Sequence, residues 1–240
     1  MNDGINISNR IKNVKPPSIL AVIPARGGSK RLPRKNILDL NGKPLISYTI
    51  EAALQSNYIA KTIVTSDSDE VLEIASKFQS DTIKRPQEFA SDTATTFDAI
   101  EHTILNQNKT FDYIILLQPT SPLRTSKNID DAIELLIDKK ADGVISVCEV
   151  DHPVQWNMPL ENDLEISKFI NSMDSKRSQE QEKHYRLNGA IYIANTKKLL
   201  QEKTFFLKSN IFASIMDKKN SIDIDDQLDF KFANFLISHQ

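Results

Sequence analysis

The sequence predicts an α/β fold, a mostly parallel twisted sheet with helices on both faces, and three observations carry that expectation. Short apolar runs alternate with stretches of helical periodicity along most of the 240 residues, the pattern of strands joined by crossover helices. One run, Tyr113-Ile114-Ile115-Leu116-Leu117, is apolar without interruption, as a central strand covered on both faces requires. The first run, Ile19 to Ile23, leads through Pro24 into a loop with paired glycines and a cluster of cations. Such a loop, at the carboxyl end of a first strand, is where open α/β sheets bind ligands.

Residues 1–17 are polar, lack the apolar stretch of a signal peptide and end at Pro16-Pro17, so they read as a flexible tail. Ser18 to Ile23 is the first strand. After the basic loop, Asn41-Gly42 marks a turn, and Pro44 suits the first turn of a helix. Leu45, Tyr48, Thr49, Ala52 and Ala53 recur at helical spacing to about Ser56. Thr62 to Thr65 is a strand, and Ser66, Asp67 and Ser68 offer caps to the helix after it. The apolar face of that helix is Val71, Leu72, Ile74, Ala75 and Phe78. Thr82-Ile83 is a short strand. Arg85 to Ala94 shows no period and reads as a loop, followed by a helix over about Thr95 to Leu105. The strand Tyr113–Leu117 stops at Gln118, because Pro119 and Pro122 forbid its continuation. A helix spans Ser126 to Lys139, with Ile129, Ile133, Leu136 and Ile137 on one face. Val144 to Val147 is a further strand.

From Asp151 to Tyr185 the alternation lapses into a long polar stretch, and loops of that length are uncommon without a purpose. The sheet resumes at Ala190 to Ala194. A helix near Thr196, a strand at Ile211 to Met216 and a last helix over about Asp226 to Ile237 complete the chain. A sequence of this size suits one medium domain, and its 40% hydrophobic and 26% charged content is that of an ordinary globular protein. A net charge of −2 argues against a nucleic-acid partner. No apolar run has the length of a membrane span, so the expected location is cytoplasmic. The single cysteine, Cys148, sits in an apolar run and reads as a buried structural thiol. The four histidines show no metal-ligand spacing, and no G-x-S-x-G supports a hydrolase.

The loop after Ile23 carries Arg26, Lys30, Arg31, Arg34 and Lys35 with no acid among them. Gly27-Gly28 lets backbone N–H groups approach a ligand. Together they suggest a polyphosphate, although the loop is neither G-x-x-x-x-G-K-[ST] nor G-x-G-x-x-G. A solvated basic connection is the bland alternative, and for Arg31 and Arg34 that alternative is adopted. Arg26, Lys30 and Lys35 are the candidates for holding a triphosphate. Asp223 and Asp225 lie two apart, so in an extended segment their carboxylates converge on one side. That arrangement suits a hard cation, but capping of the final helix by Asp225 or Asp226 is the competing reading. Gln118 ends a buried strand at the expected crevice, with an amide that both donates and accepts.

These residues belong to a wider pattern. Ile23-Pro24-Ala25-Arg26-Gly27-Gly28-Ser29-Lys30 with Leu32-Pro33-Arg34-Lys35-Asn36 resembles the signature loop of CMP-sialic acid synthetases (acylneuraminate cytidylyltransferases). The resemblance continues in Arg85-Pro86, Ser91 to Ala94, Leu117 to Arg124, Asn188 to Tyr192 and Ser221 to Asp225. It covers nearly everything beyond the tail and implies a Rossmann-like nucleotidyltransferase domain over 18–240. It also implies that 151–185 is an inserted arm packing against a second subunit in a homodimer. The implied reaction joins CTP to a nonulosonic (sialic-type) acid with the help of Mg²⁺ or Mn²⁺, activating the sugar for surface polysaccharides. On this resemblance, Arg26, Lys30, Lys35 and Asp225 are catalytic, and Asp223 and Asp225 hold the metal. Ala25, Arg26, Gly27, Ser29, Asn36, Arg85 and Thr96 contact the nucleotide, with surface or capping roles as the alternative for the last three. Gln118, Arg177, Asn188, Tyr192, Phe205 and Phe206 contact the sugar, though the two phenylalanines also read as core aromatics. The family's basic residue near Gln155 is missing, which leaves the sugar open among sialic acid, 3-deoxy-manno-octulosonate, legionaminate and pseudaminate. A phosphatase nucleophile at Asp223-Ile224-Asp225 is disfavoured, because that motif belongs after an early strand. A non-catalytic nucleotide-sugar binding protein is the rival of another class.

Overall fold

The computed structural model describes residues 16–29, 31–90, 95–172 and 182–239. Residues 1–15 of the expected tail over 1–17, together with Lys30, Ser91 to Ala94 and Arg177, lie outside them. Strands β1 (Ile19–Pro24), β4 (Ile59–Ser66), β5 (Asp81–Lys84), β6 (Tyr113–Leu116), β7 (Gly143–Glu149), β8 (Tyr185–Asn195) and β9 (Ile211–Ile215) form a seven-stranded sheet. Its order is β5-β4-β1-β6-β8-β7-β9. The short strands β2 (Asp39–Leu40) and β3 (Lys43–Pro44) pair as a separate hairpin around Asn41-Gly42, the dipeptide expected of a tight hairpin turn. Adjacent strands are parallel except where β8 runs against β6 and β7.

Helices α1 (Leu45–Leu54), α2 (Asp69–Lys77), α3 (Thr96–Leu105), α4 (Ser126–Lys139), α6 (Thr196–Glu202) and α7 (Gln227–Ser238) follow the periodic stretches of the sequence. Alternate residues of β1 face opposite layers. Ile19, Ala21 and Ile23 pack with residues of α1, α2 and α4. Leu20 and Val22 pack with Ile100 of α3, Leu199 of α6, Phe205 and Leu207. Both faces are thus covered, and β1 is fully apolar from Ile19 to Ile23 because no position in it meets water. A third cluster joins Leu32, Leu40 and Leu45 to Ile224 and to Ala233 of α7. It brings the basic loop and the C-terminal part of the chain together.

Three local differences from the sequence reading have plain causes. Pro44 closes the hairpin and stands as N-cap of α1, one residue before the helix. The strand expected at Ala190 begins at Tyr185, because β7 and β8 continue as a two-stranded ribbon through Cys148↔Arg186 and Glu149↔Tyr185. Tyr185, Arg186 and Leu187 are all exposed in that ribbon, which hides the strand from a search for apolar runs. Within the expected loop, Gln87–Ala90 forms a short 3-10 turn. The segment leaving the ribbon holds a 3-10 turn at Val154–Trp156 and a short helix, α5 (Ser167–Ser172). Cys148 is buried, as expected.

Candidate active site

The parallel register sets the site. Pro24 lies beside Thr65, and Val22 beside Leu116. The carboxyl ends of β1, β4 and β6 therefore share one edge of the sheet, the edge where α/β folds bind ligands. β8 arrives there from the other direction: Tyr192 pairs with Leu116, which sets the earlier residues Asn188 and Gly189 beyond the end of β6, next to Gln118. A cleft of about 440 Å³ opens on this edge. Its lining includes Arg26, Ser29, Lys35, Asn36, Arg85, Thr96, Gln118, Asp223 and Asp225, so the structure brings together residues drawn from almost 200 positions of sequence.

The basic loop is anchored from below. The Ala25 amide donates to the Thr65 carbonyl (3.0 Å). The Gly27 amide donates to Asp67 Oδ1 (3.0 Å), and a Cβ at Gly27 would stand 2.8 Å from that of Ser68. Gly27 thus serves close packing, and its N–H is engaged by Asp67 instead of pointing at a ligand. Asp67 also faces the Arg85 guanidinium at 3.9 Å. Arg85 is buried, and desolvation lowers its pKa against the opposing charge of Asp67. Asn36 donates to the Arg26 carbonyl (2.9 Å) and so braces the loop from within.

Lys35 sits in a 3-10 turn over Lys35–Ile37. Its ammonium donates to the Ile224 carbonyl (2.6 Å) and lies 3.9 Å from Asp225. Burial lowers the Lys35 pKa, while Asp225 and Asp223 act the other way. The segment Asp223-Ile224-Asp225 alternates as an extended chain should: Ile224 is fully buried, and both carboxylates line the cleft. Capping of α7 falls to Asp226, whose side chain accepts from the amides of Leu228 and Asp229 in a complete capping box. Asp225 is free of that duty and pairs instead with Arg31 (2.9 Å), a cation the sequence reading left to solvent. Burial raises the Asp223 pKa, a hydrogen bond from Thr120 opposes this, and the charge of Asp225 adds to it. One Asp223 oxygen, Oδ1, is buried without a partner.

Thr96 is the first residue of α3 and lines the cleft, and the cap of that helix is Thr95, closed by Asp98. Gly189 has φ +75, and a Cβ there would lie 3.1 Å from Gln118 Oε1 and 3.2 Å from Asp223 Oδ2. Its bare backbone leaves room for both side chains to approach it. The Asn188 side chain does not reach the cleft. It is buried and bonded to Ser146 (2.6 Å) and Ser221 (2.9 Å), where it supports the Gly189 turn. Tyr192 stands beside Phe205 and edge-on to Phe206, at 6.2 and 6.0 Å. Burial and the charge of Asp223 both raise the Tyr192 pKa. Phe205 belongs to the core, whereas Phe206 is 56% exposed. Sequence reasoning missed Asp67, Phe89, Pro119 and Thr120. Asp67 could have been found from its place at the end of a strand, but Phe89 and Thr120 enter the cleft only through loop geometry.

The fold and the cleft define an α/β domain whose candidate site sets cations against a carboxylate pair. The chain belongs to the cytidylyltransferase family, whose model matches residues 20–233. It is 44% identical to the N-acylneuraminate cytidylyltransferase of Escherichia coli O18:K1:H7 over 90% of this chain and 51% of that protein. It is 34% identical to the pseudaminic acid cytidylyltransferase of Campylobacter jejuni over 92% of this chain and 97% of that protein. The chain thus spans about half the length of its N-acylneuraminate cytidylyltransferase relatives. Among solved structures it shares the fold of a CMP:2-keto-3-deoxy-manno-octonic acid synthetase complexed with CTP. The TM-score is 0.71 at 19% identity, over 92% of this chain and 99% of that one.

Gly189→Ala is expected to force the left-handed backbone at a cost of about 1–2 kcal/mol and to push Gln118 and Asp223 apart. Denaturant unfolding should show that loss. Activity should fall further than the lost stability explains. Wild-type activity in a folded variant would contradict the contact.

Proposed function

We propose that this chain is a cytidylyltransferase that joins CTP to a nonulosonic acid, yielding a CMP-sugar and pyrophosphate. The observation that carries the proposal is the convergence, on one cleft, of the Arg26–Lys35 loop, the Asp223–Asp225 pair and Gln118. Arg26, Lys30 and Lys35 hold the triphosphate and steady the departing pyrophosphate. Ser29, Asn36, Arg85 and Thr96 receive the nucleotide, on a loop that Ala25 and Gly27 anchor. Gln118 orients the sugar acid so that its anomeric hydroxyl stands in line with the scissile bond at the α-phosphorus. Tyr192 and Phe206 flank the acyl group with Phe205 packed behind them, Asn188 holds the Gly189 turn from within the core, and Arg177 meets the sugar carboxylate. No covalent intermediate with the protein is needed.

The donor set fits a divalent ion such as Mg²⁺ or Mn²⁺. Asp223 keeps a buried oxygen without a partner, and Asp225 opens on the same cleft. No group of three or more metal-ligating side chains stands together among the described residues. Asp223 and Asp225 would therefore hold the ion with substrate oxygens and water, a set suited to Mg²⁺. Bound there, it supplies charge neutralisation at the α-phosphate and on the leaving group.

Relatives named for N-acylneuraminate, pseudaminic acid and N,N'-diacetyllegionaminic acid support the nonulosonic class. A CTP-consuming enzyme of this kind works in the cytoplasm. The arm over 151–185 carries Leu160, Leu164 and Ile170 exposed at 61, 67 and 51%. Such a display of apolar side chains supports an interface with a second copy, hence a homodimer.

Pyrophosphate release should appear with CTP plus one of N-acetylneuraminate, legionaminate, pseudaminate or 3-deoxy-manno-octulosonate, and not with CTP alone. Release without acid, or none with any acid, contradicts the transferase. Asp225→Asn should lower turnover by about a hundredfold or more, partly recovered by excess Mg²⁺, with the fold intact. Near-normal turnover at low Mg²⁺ would remove the metal role. Light scattering at micromolar concentration should report twice the 27.2 kDa chain mass, and a monomer would refute the interface.

A further inference from the structure

Beneath the cleft lies Arg124, 2% exposed. Its Nη1 donates to two backbone carbonyls, Gln118 O at 3.2 Å and Ala190 O at 2.9 Å. Its Nε and Nη2 have no partner. Burial alone lowers its pKa, to about 9, so the guanidinium is charged at neutral pH and no carboxylate offsets it. A buried charge with unanswered donors opposes folding, so stability does not account for this residue.

The two carbonyls explain it better. Gln118 stands just past the end of β6. Ala190 stands where the pairing of β7 with β8 slips, between Ile145 and Val147. Bulges of this kind sit beside active sites and re-aim side chains. Here the slip carries Gly189, against which Gln118 Oε1 and Asp223 Oδ2 pack. Ser146 and Asn188 satisfy the bulge from one side, with Ser146 accepting from the Ile191 amide at 2.8 Å. Arg124 alone, among the hydrogen bonds described here, ties the bulge to the Gln118 turn.

We propose that Arg124 is a positioning residue: its guanidinium is a strut that sets the spacing between Gln118 and the Gly189 bulge, and so orients the sugar acid. The role in catalysis rests on the cytidylyltransferase reading, whereas the strut itself does not.

Arg124→Lys keeps the charge but shortens the reach and loses the fork. It should raise KM for the sugar acid about tenfold, as loss of a charge-assisted hydrogen bond does, and leave KM for CTP within about twofold. In a Gln118→Ala background the same substitution should add less than about twofold, because two residues acting as a unit are not additive. Equal increases in both KM values, or full multiplicativity in the double variant, would overturn the proposal. Backbone hydrogen exchange needs no turnover. In Arg124→Lys it should quicken over residues 118–124 and 187–191 and stay unchanged in β1 and α1. Unchanged exchange in those two segments overturns the strut. Quickened exchange with a wild type that releases no pyrophosphate overturns the proposed reaction and upholds the strut.

Discussion

The Lys35 ammonium against the Ile224 carbonyl, at 2.6 Å, is the contact on which the cleft depends. It joins the loop after the first strand to a turn near the end of the chain, and everything between has to fold for the two to meet. The third apolar cluster supplies the driving force, with Leu32, Leu40 and Leu45 packed on Ile224. Because Ile224 points into that cluster, the carboxylates on either side of it must point out. Lys35 then stands between them, its charge partly desolvated and answered by both. In the cleft, cations and acids already attract one another, and Arg31 reaches across to Asp225 as well.

The reversed strand β8 has an equally direct consequence. A parallel β8 would present its last residues, Ala194 and Asn195, to the ligand edge. Running the other way, it presents its first half, with Gly189 and the bulge. An antiparallel partner could follow β7 through a tight hairpin, since Glu149 pairs with Tyr185. The longer connection over 151–184, with Leu160, Leu164 and Ile170 exposed, is therefore not a demand of the topology.

The basic loop is shaped by acids it does not contain. Asp67, on the neighbouring strand's end, accepts from Gly27 and faces Arg85. Asp67 thus fixes the backbone at Gly27 and holds Arg85 beside it.

Much of the architecture was legible in the chain itself. Apolar runs and 3.6-residue periodicity locate β1, β6, α4 and α7 within a residue or two, because these elements bury whole faces and the burial is written in side-chain type. The basic loop, Gln118 at a strand end and the Asp223/Asp225 spacing were visible for the same reason: each is a local pattern. Tertiary structure alone decided that β8 runs antiparallel, since strand direction leaves no mark on composition. It alone chose Asp226 as the cap of α7 and left Asp223 and Asp225 to the cleft, because capping depends on backbone angles, and Asp225 and Asp226 could each have supplied the side chain. It also withdrew Asn188 into a buried network and brought Arg124 under Gln118 and Ala190. Those contacts join residues up to 66 positions apart, and only packing decides which distant groups meet.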